Sequence, residues 1–174
     1  MATPLIFIKI EENPPIGALA TTRDEVFTSV YEAIGRWWAE RDLPKHFMPN
    51  ARYIYGYQAR KSSTIRRKHK DAAKGKAIMG GEVDLVWTGN MMKAVLGLQT
   101  IRSTPKKVDV IMYGPQYLWQ YNKQAGAPDK AAEITKITPA EVEELNRVAE
   151  LAYQFALNKA WNKYTKTTQY GAAA

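Results

Sequence analysis

Three tyrosines, Tyr53, Tyr55 and Tyr57, stand at alternate positions just ahead of a dense run of cations that includes Arg60, Lys61, Arg66, Arg67, Lys68 and Lys70. Rings beside cations suit the gripping of a nucleic-acid strand, because aromatic faces stack on bases while ammonium and guanidinium groups neutralise phosphates. An acidic protein surface is the other negative partner such a run could meet. The expected contact residues are therefore Tyr55, Tyr57, Arg60, Lys61, Arg66, Arg67, Lys68 and Lys70, against the plainer reading of a solvated, mobile loop. The charge is local: nine of the 25 Lys and Arg residues lie between Arg52 and Lys76, where the only acid is Asp71. The other 16 basic residues balance the other 16 acidic ones, so the net charge of +8 belongs to this one segment. A neutral chain with one cationic segment is built to set that segment against something negative.

Other chemistries find little support. His46 and His69 are the only histidines, lie far apart and have no carboxylate pair at ligand spacing, so no metal is expected. The chain has no cysteine, which removes thiolate nucleophiles and disulfides and fits a reducing compartment. Gly75-Lys76 and Gly80-Gly81 match neither phosphate-binding fingerprint, and no serine sits in a nucleophile elbow. Neither a catalytic residue nor a cofactor is expected. The apolar stretch from Leu5 to Ile10 is broken by Lys9, too short for a signal-peptide core, and no run reaches the roughly 20 apolar residues of a membrane span.

The elements that must hold the cationic segment read as one α+β domain, a small antiparallel sheet flanked by two main helices. Residues 1–21 form an N-terminal arm or edge strand, with Pro4 to Ile10 strand-like ahead of the Pro14-Pro15 break. Thr22 and Glu25 make a capping box, and Val26, Val30, Ile34 and Trp38 recur at helical spacing, predicting a helix from Arg23 to Asp42. Gly35 in its middle suggests close packing. Of the adjacent Trp37 and Trp38 only one can face inward. Residues 45–81 show no single period and predict a long basic loop, of a length expected where a loop is functional or becomes ordered on binding. Val83 to Trp87 reads as a strand, and Met91 to Arg102 as a strand whose start could be a helical turn. Lys107 to Tyr113 alternates, so that a hairpin turns at Pro105. Thr138, Pro139 and Glu141 announce a second helix with a stripe at Val142, Leu145, Val148, Ala149, Ala152, Phe155 and Ala156. The domain spans 22–160, and 161–174 reads as a C-terminal tail.

Several short motifs occur together in order. Leu43-Pro44-Lys45-His46-Phe47, Tyr55-Gly56-Tyr57, Arg60, Arg66-Arg67-Lys68, Asp84-Leu85-Val86-Trp87-Thr88-Gly89, Tyr113-Gly114-Pro115 and Pro128-Asp129-Lys130 lead into Thr138-Pro139-Ala140-Glu141. In order and spacing, from about Asp24 to Asn158, the chain resembles the tail-completion and head-tail joining proteins of tailed bacteriophages. It departs from them at Thr64-Ile65 and Asn90-Met91, which leaves terminator and neck adaptor both open. The resemblance implies a virion structural protein without catalysis, assembled in the host cytoplasm into a ring at the head-tail interface, with a hexamer as the expected assembly. Its implied partners are further copies of itself, the head connector or adaptor, the tail tube protein and DNA in the channel, with no membrane. The alternative is a free nucleic-acid-binding protein that stacks bases on Tyr55 and Tyr57.

Overall fold

The computed structural model describes residues 4–6, 9–11, 20–77, 83–86, 88–97, 99–115 and 128–171, with side chains over 23–77, 83–86, 88–97, 99–115, 128–160 and 162. Strand β4 (Lys107–Tyr113) is the centre of an antiparallel sheet. On one side it pairs with β3 (Gln99–Thr104), and the two-residue turn at Pro105 and Lys106 closes on the Thr104 side chain, which accepts from the Lys107 amide at 3.2 Å. On the other side lie β1 (Pro4–Ile6) and β2 (Lys9–Glu11), end to end and with an irregular register at β1. The N-terminal segment thus pairs with β4 of its own chain.

The alternation in β4 buries Val108, Val110 and Met112, with Ile111 also enclosed. Helix α1 (Ala20–Trp37) crosses this sheet at Gly35. A Cβ at Gly35 would come within 2.6 Å of Val108 Cγ2 and 3.2 Å of Ile101 Cγ2, so only a glycine lets helix and sheet approach this closely. The helix does not stop at Trp37. It widens into a π-helical turn (Trp38–Asp42) in which the Leu43 amide reaches the Trp38 carbonyl, then tightens into a 3₁₀ turn (Leu43–Phe47) around Pro44. The widened turn places Trp38, Asp42, Leu43 and His46 together in the interior. Trp37 stays half-buried beneath the Arg41 guanidinium, 5.4 Å from its ring centre.

Of the long loop expected over 45–81, the described part, 45–77, is largely helical. Helix α2 (Ala51–Tyr55) ends on Gly56 at φ 59°, and α3 (Ser62–Ala73) ends ahead of Gly75 at φ 68°. These helices show no apolar period because their buried side chains are only Ala51 and Tyr55 in α2 and Lys68 in α3. Residues 83–86 form no strand, although Val83, Leu85 and Val86 are buried, and Trp87 lies outside the described residues. Helix α4 (Asn90–Gly97) begins the stretch read mainly as strand, and α5 (Lys130–Ile134), capped by the Asp129 carboxylate on the Ala132 amide, had no periodic signal.

Helix α6 (Pro139–Gly171) starts on the expected capping box: the Thr138 amide donates to Glu141 Oε2 at 2.8 Å, and the Glu141 amide donates to Thr138 Oγ1 at 3.2 Å. It packs antiparallel to α1, with Glu144 near Lys45 at one end and Tyr153 against Phe27 further along. Its core stripe is Leu145, Ala149, Ala152 and Ala156, whereas Val142 and Phe155, placed on that stripe by periodicity alone, are exposed. The helix runs through 161–171, where a tail was expected; the last three residues, like Tyr117, Trp119 and Tyr121, lie outside the described residues.

Candidate functional site

The cationic run divides between an interior and a surface. Tyr55, at the end of α2, and Tyr57, after the Gly56 turn, are each only 5 % exposed. The His46 ring stacks on Tyr55 with centroids 3.8 Å apart, and His46 Nδ1 lies 2.5 Å from the Tyr57 hydroxyl. Tyr55 Oη donates to Glu141 Oε1 at 2.5 Å, tying α2 to the first turn of α6. Burial pushes the His46 ring down to about 4, outweighing the pull of the Glu141 carboxylate and of the Glu133 backbone, so the imidazole is neutral near pH 7. Burial also raises both tyrosines above their ordinary range, with the Glu141 hydrogen bond adding to it at Tyr55. Beside them Asp42 is held by Lys45 at 2.6 Å; desolvation nonetheless raises its carboxyl, Lys45 opposing.

A second cluster surrounds Arg60. Its guanidinium meets Glu133 of α5 at 2.5 Å and Asp84 at 3.6 Å, and all three side chains are almost fully buried. Glu133 also accepts from the Gln58 amide at 3.2 Å. From α3 the Lys68 ammonium reaches inward and donates to the Val83 carbonyl. Desolvation lowers Lys68 to about 8, with Asp84 opposing. The Lys68 contact pins α3 from its inner side, since a buried charge needs a partner and a buried carbonyl needs a donor. Among the described residues Asp42 Oδ2, His46 Nε2, Arg60 Nη1, Asp84 Oδ2 and the indole nitrogens of Trp37 and Trp38 have no hydrogen-bond partner of ordinary geometry.

Four of the eight expected contact residues are therefore misplaced by the sequence reading. Tyr55, Tyr57, Arg60 and Lys68 are structural, because their rings and charges are satisfied inside the protein and present nothing for a strand to stack on. Lys61, Arg66, Arg67 and Lys70 are exposed, and Lys74 and Lys76, part of the same run, join them. The residues missed by sequence are the interior acids Glu133, Asp84 and Asp42. Only Glu141 carried a local sign, its place in the capping box.

Comparison of the chain with protein-family models, curated proteins and solved structures returns no match.

Leu151 and Phe155 on α6 are 67 % and 73 % exposed, an apolar flank beside the core stripe. Since Phe27 meets Tyr153, and α1 begins seven residues before Phe27, the antiparallel α6 draws level with the start of α1 near residue 160. Residues 161–171 then carry α6 roughly 16 Å further at 1.5 Å per residue. The outer edge of β3 pairs with no strand among the described residues. Among those residues no three or more His, Cys, Asp or Glu side chains are arranged to hold a metal ion, and no helix is long and apolar enough to cross a membrane.

Proposed function

We propose that this chain is a structural subunit at the head-tail junction of a tailed-bacteriophage particle, forming a ring that ends the tail tube and joins it to the head connector. The observation that carries the reading is helix α6, whose exposed Leu151 and Phe155 and whose final turns beyond α1 suit a subunit completed by its neighbours. The resemblance of the ordered motifs to those of tail-completion proteins supports the same reading. The sheet supplies a route to a ring. Among the described residues its two outer edges differ, one regular along β3 and the other made of β1 and β2 with an irregular register at β1, so joining one to the other in the next copy is a head-to-tail contact of the kind that closes rings. The N-terminal strand, seated on its own β4, need not be exchanged for that contact. In this role the exposed face of α3 meets the partner, and repetition around the ring multiplies a modest patch.

Electron microscopy of particles made with this reading frame silenced tests the proposal. DNA-filled heads lying apart from tails, above all tails of irregular length, are the expected result. Intact virions overturn it.

A second reading, a free nucleic-acid-binding protein, is favoured by the exposed cations of α3. In its base-stacking form it loses Tyr55 and Tyr57, which are buried.

A further inference from the structure

Helix α3 separates its cations by side. Lys68 points inward to the Val83 carbonyl, with Ile65 and Ala72 half-buried on the same side one turn away in each direction. Arg66, Lys70 and Lys74 recur every fourth residue on the exposed side, about 6 Å apart along the axis and within an arc of roughly 80°. Arg67 is exposed beside them and also engages a group within the chain, so the count rests on the other three. The remaining exposed residues from 62 to 74 are Ser62, Ser63, Thr64, His69 and Ala73.

The composition of this face distinguishes its partners. A protein interface draws its affinity from a buried centre of aromatic and aliphatic side chains and is poor in lysine there. The exposed side of α3 carries no large apolar residue, only cations, hydroxyls, the His69 imidazole and the methyl of Ala73. A phosphodiester backbone requires just these. Double-stranded DNA presents one charge per about 1.7 Å of axis, so three cations spread over about 12 Å face roughly seven phosphates and find partners in any register. A single strand would need successive stacking surfaces, and with Tyr55 and Tyr57 buried only Tyr53 of the three tyrosines offers one.

We propose that Arg66, Lys70 and Lys74 form a sequence-independent binding face for the phosphate backbone of duplex DNA. The proposal rests on the reading above that the exposed face of α3 is the side that meets a partner, and it names that partner.

The full chain is titrated against a fluorescent 30-base-pair duplex, the matching single strand and poly-glutamate at several salt concentrations. The expected result is duplex binding at about 10⁻⁴–10⁻⁶ M with log K falling against log salt at a slope near −2.7, three phosphates at about 0.9 each. Charge reversal at Arg66, Lys70 and Lys74 together should weaken binding at least tenfold, with circular dichroism checking the fold. Should that variant fail to fold, the single changes R66A, K70A and K74A each reduce the slope by about 1, equally on unrelated sequences. Tyr53, 86 % exposed on α2, is the internal control for stacking, and Tyr53→Ala leaves duplex affinity unchanged. Tighter binding of the single strand with loss on Tyr53→Ala, tighter binding of poly-glutamate, or no duplex binding at low salt each overturns the inference. Such a failure is separable from failure of the joining role, which is read from particles: detached heads and tails together with no DNA affinity overturn this inference alone.

Discussion

Tyr55 and Glu141, 86 positions apart in the chain, meet at 2.5 Å between hydroxyl and carboxylate, while the other oxygen of the same carboxylate caps α6 through Thr138. One acid therefore starts the long helix and fastens it to the segment that leads into α3. Tyr55→Phe should cost about 2 kcal/mol, because it leaves a buried carboxylate oxygen without its donor. Glu141→Ala should cost more, since the cap is lost as well. Urea denaturation of both variants and of the double variant should show non-additive losses; strictly additive ones would mean that the pair does not interact.

Gly35 and Val108 give the second expectation. Alanine is the better helix former by about 1 kcal/mol, yet Gly35→Ala should destabilise by about 1–3 kcal/mol because its methyl group meets Val108 Cγ2. Adding Val108→Ala should restore part of the loss. Thermal midpoints of the two single variants and the pair decide it, and a stabilised Gly35→Ala would refute the close contact.

Arg60 and Arg66 lie six residues apart in one basic run and should behave oppositely. Arg60→Ala strands Glu133 and Asp84 as unpaired buried acids, at a cost of about 3–5 kcal/mol. Arg66→Ala removes an exposed side chain and should stay within about 0.5 kcal/mol. Equal losses in chemical denaturation would contradict this division of the run.

His46 sets a pH dependence. Its folded pKa, near 4, lies below the ordinary value of 6.5, so the unfolded chain binds the extra proton first as acid is added. Stability from this group is present above pH 6.5 and is lost as the pH falls from there towards 4, by about 2 kcal/mol between pH 7 and pH 5. The raised Asp42 carboxyl works in the opposite direction, because its protonated form is the one the fold prefers. His46→Gln should flatten the His46 part of the profile. An unchanged profile, read as urea midpoints at the two pH values, would assign the acid sensitivity to another group.

Much of the framework was legible in the residues alone. The α+β class, the first helix from its apolar spacing, the glycine at a close approach, the hairpin turning at Pro105 and the capping box at Thr138 all follow from local rules, and each is present. These features depend on residues a few positions apart, whose geometry the backbone sets by itself. The segment from 45 to 77 resisted because its buried side chains mix His46, Tyr55, Tyr57 and Lys68 with Phe47, Ala51 and Ala77 at no regular spacing. Its Tyr55, Arg60 and Lys68 are held by Glu141, by Glu133 and Asp84, and by the Val83 carbonyl, which come from distant parts of the chain. Cation density and the local origin of the net charge were decided by sequence. Which cations face solvent, and which are consumed inside, was decided only by the tertiary structure, because a buried charge is stable only beside an opposite charge or a carbonyl and the fold alone brings those partners within reach.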